Sequence, residues 1–367
     1  MLKRNIITVV IALLLSAASN NAFGHDIEVK NYDGVTIYYN YINDGTELEV
    51  TYKTNTYNSY SGIVVIPEEI TYMNRTRKVT TIGTSAFAEC SGLTSVTIGN
   101  AVTHIGISAF QKCSGLASVT IGNAVTTIGF NAFEECFSLT SVAIPNSVTT
   151  IGDDAFSECI RLASVTIGNA VTTIGSYAFW GCISLTSVII PNSVTTIGNY
   201  AFEYCSRLTS VTIPNSVTTI GDKAFDRCDN IKEVVSLIED PREITDKNSD
   251  FRIFSLNTFN NATLYVPVGT IDKYKATAGW QDFQFIGDGI PTSILTLKSA
   301  YGLIQQDGKA LTVSGAPAGT PIAVYDLSGR LINSAKAVEG TTRIDAVTAD
   351  KVVIVRAGER TVKVAMK

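Results

Sequence analysis

Apolar and polar positions along this chain follow a short rhythm that keeps returning. One stretch reads Leu139-Thr-Ser-Val142-Ala-Ile144-Pro145-Asn-Ser-Val148-Thr-Thr-Ile151-Gly152-Asp-Asp-Ala155-Phe156-Ser-Glu-Cys159. Leu139, Val142 and Ile144 give the inward positions of a short strand, and Ser141 and Ala143 point outward at period two. Pro145 and Asn146, or Gly-Asn in other stretches, close a turn. Val148 and Ile151 supply a second inward pair, and Gly152 permits a tight corner. Ala155-Phe156 then begins a segment expected to be short helix or 3₁₀, with the ring filling the core.

The same letters recur every 23 residues. Ile-Gly stands at 82, 105, 128, 151, 174, 197 and 220, and Ala-Phe at 86, 109, 132, 155, 178, 201 and 224. The cysteines are Cys90, Cys113, Cys136, Cys159, Cys182, Cys205 and Cys228, so every gap is 23. Seven such units fill 79–239. A fixed period in this range marks a solenoid, and with this leucine spacing it suits a leucine-rich repeat coil. One unit buries roughly seven apolar side chains, too few to offset the ordering of its own backbone. Stacking with strand-to-strand hydrogen bonds makes up the difference, so the array is expected to behave as a one-dimensional cooperative chain.

The ends depart from the repeat as capping requires. Val64-Val65-Ile66-Pro67 matches the strand and turn of a unit, and the extra residues Glu68 to Lys78 read as a hairpin with Met73-Asn74-Arg75 near its tip. Val35 to Tyr41 and Glu47 to Tyr52 read as strands around the turn Asn43-Asp44-Gly45. Residues 25–78 are therefore expected to form an N-terminal β cap with an irregular first repeat. Beyond the array, Leu264-Tyr265-Val266-Pro267 restores the strand signal and Ile271 to Lys275 reads as helix. Trp280, Phe283 and Phe285 are expected to seal the open end, making 240–287 a capping repeat. The pattern changes near Asp288-Gly289-Ile290-Pro291. From there Ile322 to Asp326, Val352 to Arg356 and Thr361 to Ala365 suggest a small β-sandwich-like domain over 288–367.

Composition narrows the function. Apolar residues make up 45% and charged residues 17%, against a usual charged share of about 25%. The net charge of −5, with no basic block, argues against capture of nucleic acid or an anionic membrane surface. The histidines are His25 and His104, far apart in the chain. Histidine metal sites and Ser-His-Asp or Cys-His nucleophiles need more than that. An enzyme is not expected, and no cofactor is implied. Residues 1–24 read as a signal peptide: Lys3 and Arg4 start it, an apolar run of 13 residues follows from Ile6 to Ala18, and Ala22-Phe23-Gly24 offers a cleavage site. That run is short of the ~20 residues needed to span a bilayer, and no later stretch could span one. The chain is thus expected outside the cell or at its outer surface.

The units resemble the BspA-like (Treponema-type) leucine-rich repeats of bacterial surface proteins. The resemblance rests on the recurring Ile-Gly-x-x-Ala-Phe-x-x-Cys-x-x-Leu-x-Ser-Val-x-Ile-Pro and covers about 64–286. It implies an α/β leucine-rich repeat solenoid with parallel strands, and surface adhesion through host or matrix proteins. The tail around Ile322-Ala323-Val324-Tyr325-Asp326-Leu327-Ser328-Gly329-Arg330 and Val362 to Lys367 resembles the C-terminal sorting domains of type IX secretion substrates in Bacteroidetes, which implies export machinery as a second partner. The Gly-Val-Tyr usual in those domains is here Asp350-Lys351-Val352.

Four sets of residues bear on function. The cysteine column reads as buried thiols acting as small apolar fillers, with disulfides or a metal as the alternatives. The outward rows, from Ser95/Thr97 to Ser210/Thr212, form a hydroxyl sheet read as β-propensity and solubility, with ice or polysaccharide binding as the sharper alternative. Variation between units is concentrated beside Ala-Phe and Cys. There, Phe137, Ile160 and Ile183 share one column, Tyr177 and Tyr200 another, and Trp180 and Tyr204 lie close by. If exposed together they make a protein-binding patch, because Trp and Tyr bring large area at low entropy cost; contact with the chain's own tail is the competing reading. The acids Glu134, Glu135, Asp153, Asp154 and Glu158 fall in the same region and read as a solvated face, with glycoside hydrolysis or calcium as the alternatives. His104 replaces a threonine and reads as an outward substitution.

Overall fold

The computed structural model describes residues 24–289 apart from 32–33, 55–57 and 243–251, together with strand segments between 304 and 365. The expected signal peptide, Gly24 excepted, lies outside the described residues. The chain divides into two units, Met1–Asp288 and Gly289–Lys367.

The first unit is a stack of coils with two strand columns and one side of turns. Leu93–Ile98, Ser118–Thr120, Ser141–Ala143, Ser164–Thr166, Val188–Ile189, Ser210–Ile213 and Glu233–Ser236 run parallel in the first column. Gly62–Ile66 precedes them, and Thr263–Val266 and Phe285–Asp288 follow. Neighbours are matched one coil apart, Val142 with Val165 and Val188 with Val211. The second column is one continuous sheet in which Thr127 pairs with Thr150, Thr150 with Thr173 and Thr173 with Thr196. Ile27–Lys30, Thr36–Ile42 and Glu47–Thr51 cover its N-terminal edge as an antiparallel cap. Asn43, Asp44 and Gly45 turn that cap with φ of 50°, 54° and 76°, the left-handed geometry that favours Asn, Asp and Gly in hairpins. The hairpin expected at 68–78 is present as Glu69–Tyr72 against Arg75–Ile82, with Met73 and Asn74 at its tip.

The Ala-Phe segment, expected to be short helix or 3₁₀, is instead a run of linked tight turns. Alternate amides bond in two directions. In one coil the amides of Ala132, Glu134 and Cys136 donate three residues back, to the carbonyls of Gly129, Asn131 and Phe133. Those of Asn131, Phe133 and Glu135 donate across to Asp153, Ala155 and Ser157 of the next coil. A helix would direct every amide along its own axis; here half of them serve the stack. The arrangement needs left-handed backbone at two places per coil, for example φ of 55° at both Asn131 and Glu135.

Inside the stack runs a spine of rings. Phe87, Phe110, Phe133, Phe156, Phe179, Phe202, Phe225 and Phe254 lie face to face with centroids 4.7 to 5.4 Å apart. Tyr60 ends the spine on one side, 4.3 Å from Phe87. Phe259 and Phe283 turn edge-on to Phe254 at the other. Trp280 and Phe283 are buried there as expected, but Phe285 is 56% exposed, because its strand ends the first column and its side chain faces outward. The capping coil carries the helices α1 (Leu256–Asn261) and α2 (Ile271–Ala276). Ser255 caps α1 by accepting the Thr258 amide through its hydroxyl.

All seven cysteines are buried and unbridged. From Cys113 onward each thiol donates to the carbonyl of the phenylalanine 26 residues earlier, at 2.9 to 3.3 Å. Gly152 is needed for close approach: a Cβ there would stand 2.7 Å from the Gly129 carbonyl carbon.

The second unit is all-β and antiparallel. Ile304–Asp307, Ala310–Ser314 and Thr341–Asp345 form one sheet. Leu331–Lys336, Pro321–Tyr325, Val352–Ala357 and Arg360–Ala365 form another. Leu311, Ile322, Val324 and Ile344 are buried in it.

Candidate functional site

The turn side is where the coils differ from one another, and the stacking there sets side chains of successive coils one above another. The first left-handed position carries Ser108, Asn131, Asp154, Tyr177, Tyr200 and Lys223 in order. The position after Ala-Phe carries Gln111, Glu134, Ser157, Trp180, Glu203 and Asp226, and the second left-handed position Lys112, Glu135, Glu158, Gly181, Tyr204 and Arg227.

The aromatic residues singled out from the sequence fall into two contacts and one separate column. Tyr177 and Tyr200 stack with centroids 4.6 Å apart, and Trp180 meets Tyr204 edge-on at 5.7 Å. Tyr177, Trp180 and Tyr200 are half-buried, while Tyr204 is exposed. Phe137, Ile160 and Ile183 occupy the next corner in consecutive coils; the first two are half-buried and Ile183 is exposed. They share the side with the rings without a ring contact to them.

Three features around the rings were not legible in the sequence. Glu203 is only 8% exposed and accepts the Trp180 indole N–H at 2.9 Å. Burial pushes its carboxyl above the usual range, and the indole hydrogen bond opposes that shift. Lys223 Nζ sits 5.8 Å from the centroid of the Tyr200 ring, a cation–π contact. Ile107 and Phe130, in neighbouring coils one corner away, are about half exposed.

Beside the rings the acids form a cluster, more enclosed than a solvated face. Asp154 is pushed up to about 6, first by burial and then by the charges of Glu134 and Asp153. Glu158 is raised by burial and by Glu135 and Glu134. Lys112 stands 3.8 Å from Glu135. Asp153 is exposed, and its Oδ1 accepts the Ser176 amide at 2.7 Å. No group of His, Cys, Asp and Glu among the described residues is arranged to hold a metal ion.

The remaining candidates lie elsewhere. The outward hydroxyls Ser118, Thr120, Ser141, Ser164 and Thr166 are exposed. His104 is exposed in register with Thr81 and Thr127, its ring 2.8 Å from the Thr103 hydroxyl. Burial raises the thiols from Cys90 to Cys205, Cys159 to about 12. Among the described residues no helix is long and apolar enough to cross a membrane.

Coils of 23 residues with a buried leucine at or just before a parallel strand, an internal phenylalanine spine and a variable turn side define a leucine-rich repeat solenoid. The particular family follows from the repeat. Residues 66–183 and 126–248 match the BspA type Leucine rich repeat region in six copies, and the solenoid belongs to that family. No curated protein matches the chain. Among solved structures it is similar to the T. pallidum Leucine Rich Repeat protein, at 29% identity and a TM-score of 0.46, over 53% of this chain and 87% of that one. It is also similar to a leucine-rich repeat protein from Bacteroides ovatus, at 26% identity and a TM-score of 0.42, over 69% and 75%. A leucine rich cell surface protein from Faecalibacterium prausnitzii aligns at 20% identity and a TM-score of 0.32, over 76% and 96%.

Proposed function

We propose that this is an exported, non-catalytic binding protein that captures a protein partner at or outside the cell surface, with the turn side of the middle coils as its contact surface. The observation that carries this reading is the set of tyrosines at left-handed positions. Tyr177, Tyr200 and Tyr204 have φ of 56°, 59° and 62°. A bulky side chain is disfavoured there by roughly 1–2 kcal/mol, and the neighbouring coil has Gly181 at the position of Tyr204. Three large rings at costly positions, clustered and still half open to solvent, contribute little to the fold that a smaller residue would not. They suit an interface, where Tyr and Trp act as rigid anchors.

Family membership supports protein binding as the general role; the partner class we favour is a host or extracellular-matrix protein. The tail over 288–367 is proposed as a contact for export machinery, tested by deleting it and following export: continued arrival at the surface rejects that role. A structural spacer without a ligand of its own is the second reading, favoured by the near-identical coils and the unbroken ring spine. Pull-down of matrix proteins and glycans by the full chain separates the two. Saturable capture that is lost with Trp180→Ala and Tyr204→Ala supports the first reading, and no capture across the panel supports the spacer.

A further inference from the structure

The ring stack has two outer faces, and they are finished differently. In column order the residues are Asp154, Tyr177, Tyr200 and Lys223, one per coil. At the Lys223 end a cation covers the ring of Tyr200 at 5.8 Å. At the other end the next residue in the column is Asp154, whose amide donates to the carbonyl of Ser176 beside Tyr177 at 2.8 Å; burial, Tyr200, Glu203 and then the Asp154 charge raise the Tyr177 phenol. An anionic group beside a π face repels the ring's own negative face, and a cation between them satisfies both.

We propose that the turn side of the middle coils docks a cationic segment of a protein, with a lysine or arginine side chain held between the Tyr177 ring and the Asp154 carboxylate. This deepens the reading of the aromatic patch as a binding surface and rests on it.

Charge complementarity supports the choice of occupant. Glu134, Glu135, Asp153, Asp154 and Glu158 lie on adjoining coils, and Asp154 and Glu158 each feel the repulsion of others in the group. Lys112, on the far side of Glu135, is the one ion-paired cation among these five acids in the described residues. The group therefore carries an excess of negative charge in a half-buried setting, where a charge-assisted hydrogen bond is worth more than in open solvent. Arginine fits this set best, because its planar head stacks on a ring while its N–H groups fork toward the carboxylate oxygens.

The test uses the full chain with three decapeptides: alternating Arg-Gly, alternating Lys-Gly and alternating Glu-Gly. Titration calorimetry is expected to give binding of the two cationic peptides and none of the acidic one. Asp154→Asn with Glu158→Gln should weaken the arginine peptide at least tenfold, and Tyr177→Leu, which keeps the bulk and removes the π face, by a similar factor. Glu69→Gln with Asp282→Asn removes the same charge from the exposed caps and should change binding less than twofold. Far-ultraviolet circular dichroism on each variant reports retention of the fold. Absence of cationic-peptide binding, equal weakening by the cap variant, or calcium binding in place of either peptide would overturn the proposal. If a matrix protein is captured and its capture survives Asp154→Asn with Glu158→Gln but not Trp180→Ala with Tyr204→Ala, the cationic dock is wrong and the aromatic surface stands.

Discussion

Tyr204 lies at φ 62° in a column where the preceding coil has Gly181. Replacing it with glycine removes left-handed strain of roughly 1 kcal/mol but also loses the edge contact with Trp180, of similar size. Tyr204→Gly is therefore expected to leave the denaturant midpoint almost unmoved while partner binding falls, a pattern that a purely structural tyrosine would not give. Asp154 carries a pH signature. Its carboxyl is raised in the fold to about 6, whereas unfolded it titrates near 3.9. Between those values the native state holds more proton than the unfolded state, so stability falls as pH rises from about 4 to about 6. Because the group is only partly enclosed, solvent screening limits the effect to about 1 kcal/mol. Unfolding curves at pH 4 and pH 7 should show that loss in the wild type, and Asp154→Asn should reduce it; an unchanged difference would show that Asp154 is not its source. The thiols belong to this scale too. Buried and unbridged, all seven should resist a thiol reagent in the native state and react in full after unfolding without reductant. Fewer than seven would indicate a disulfide.

Within one coil, the strands and the core were legible in the sequence because each rests on side-chain type. Leu139, Val142, Ile144, Val148 and Ile151 are all buried, as period and hydrophobicity required. The turn side was not legible, and the reason is physical. Its left-handed positions hold Ser108, Asn131, Tyr177 and Lys223, which share no preference for φ > 0. Neighbouring coils impose that geometry by taking every second amide, and no local propensity records it. The same blindness hid the half-buried acids, since Glu134 and Glu158 look solvated until stacking sets them beside other acids. Phe285 faces outward for a related reason: the sequence marks the strand, but inside and outside depend on its register with Thr263–Val266. Phe156 tests the energetics of the element. It stacks on both neighbours at 5.2 and 5.3 Å and has no exposed surface. Phe156→Ala is expected to cost about 3–5 kcal/mol in chemical denaturation, well above any change confined to the turn-side surface. A cost under about 1 kcal/mol would mean that the spine is looser than its geometry indicates.

Across the solenoid, each coil contacts its two neighbours, so stability should be shared along the stack and lowest near its ends. Amide exchange is expected to be slowest in the strands between Ser118 and Ile197 and faster in α2 and the hairpin at Glu69–Tyr72. Such a rigid frame gives a binding surface two properties at once: rings held in fixed stacks, and little ordering cost on association. The central claim is that the rings of the turn side are that surface. Its most direct measurement is the affinity, by surface plasmon resonance, of the full chain and of the Trp180→Ala, Tyr204→Gly double variant for the partner that the wild type captures. At least a tenfold loss is expected in the variant with its fold retained, although the buried Glu203 carboxylate loses its indole partner and the midpoint falls; equal affinities, with both chains folded, would contradict the claim.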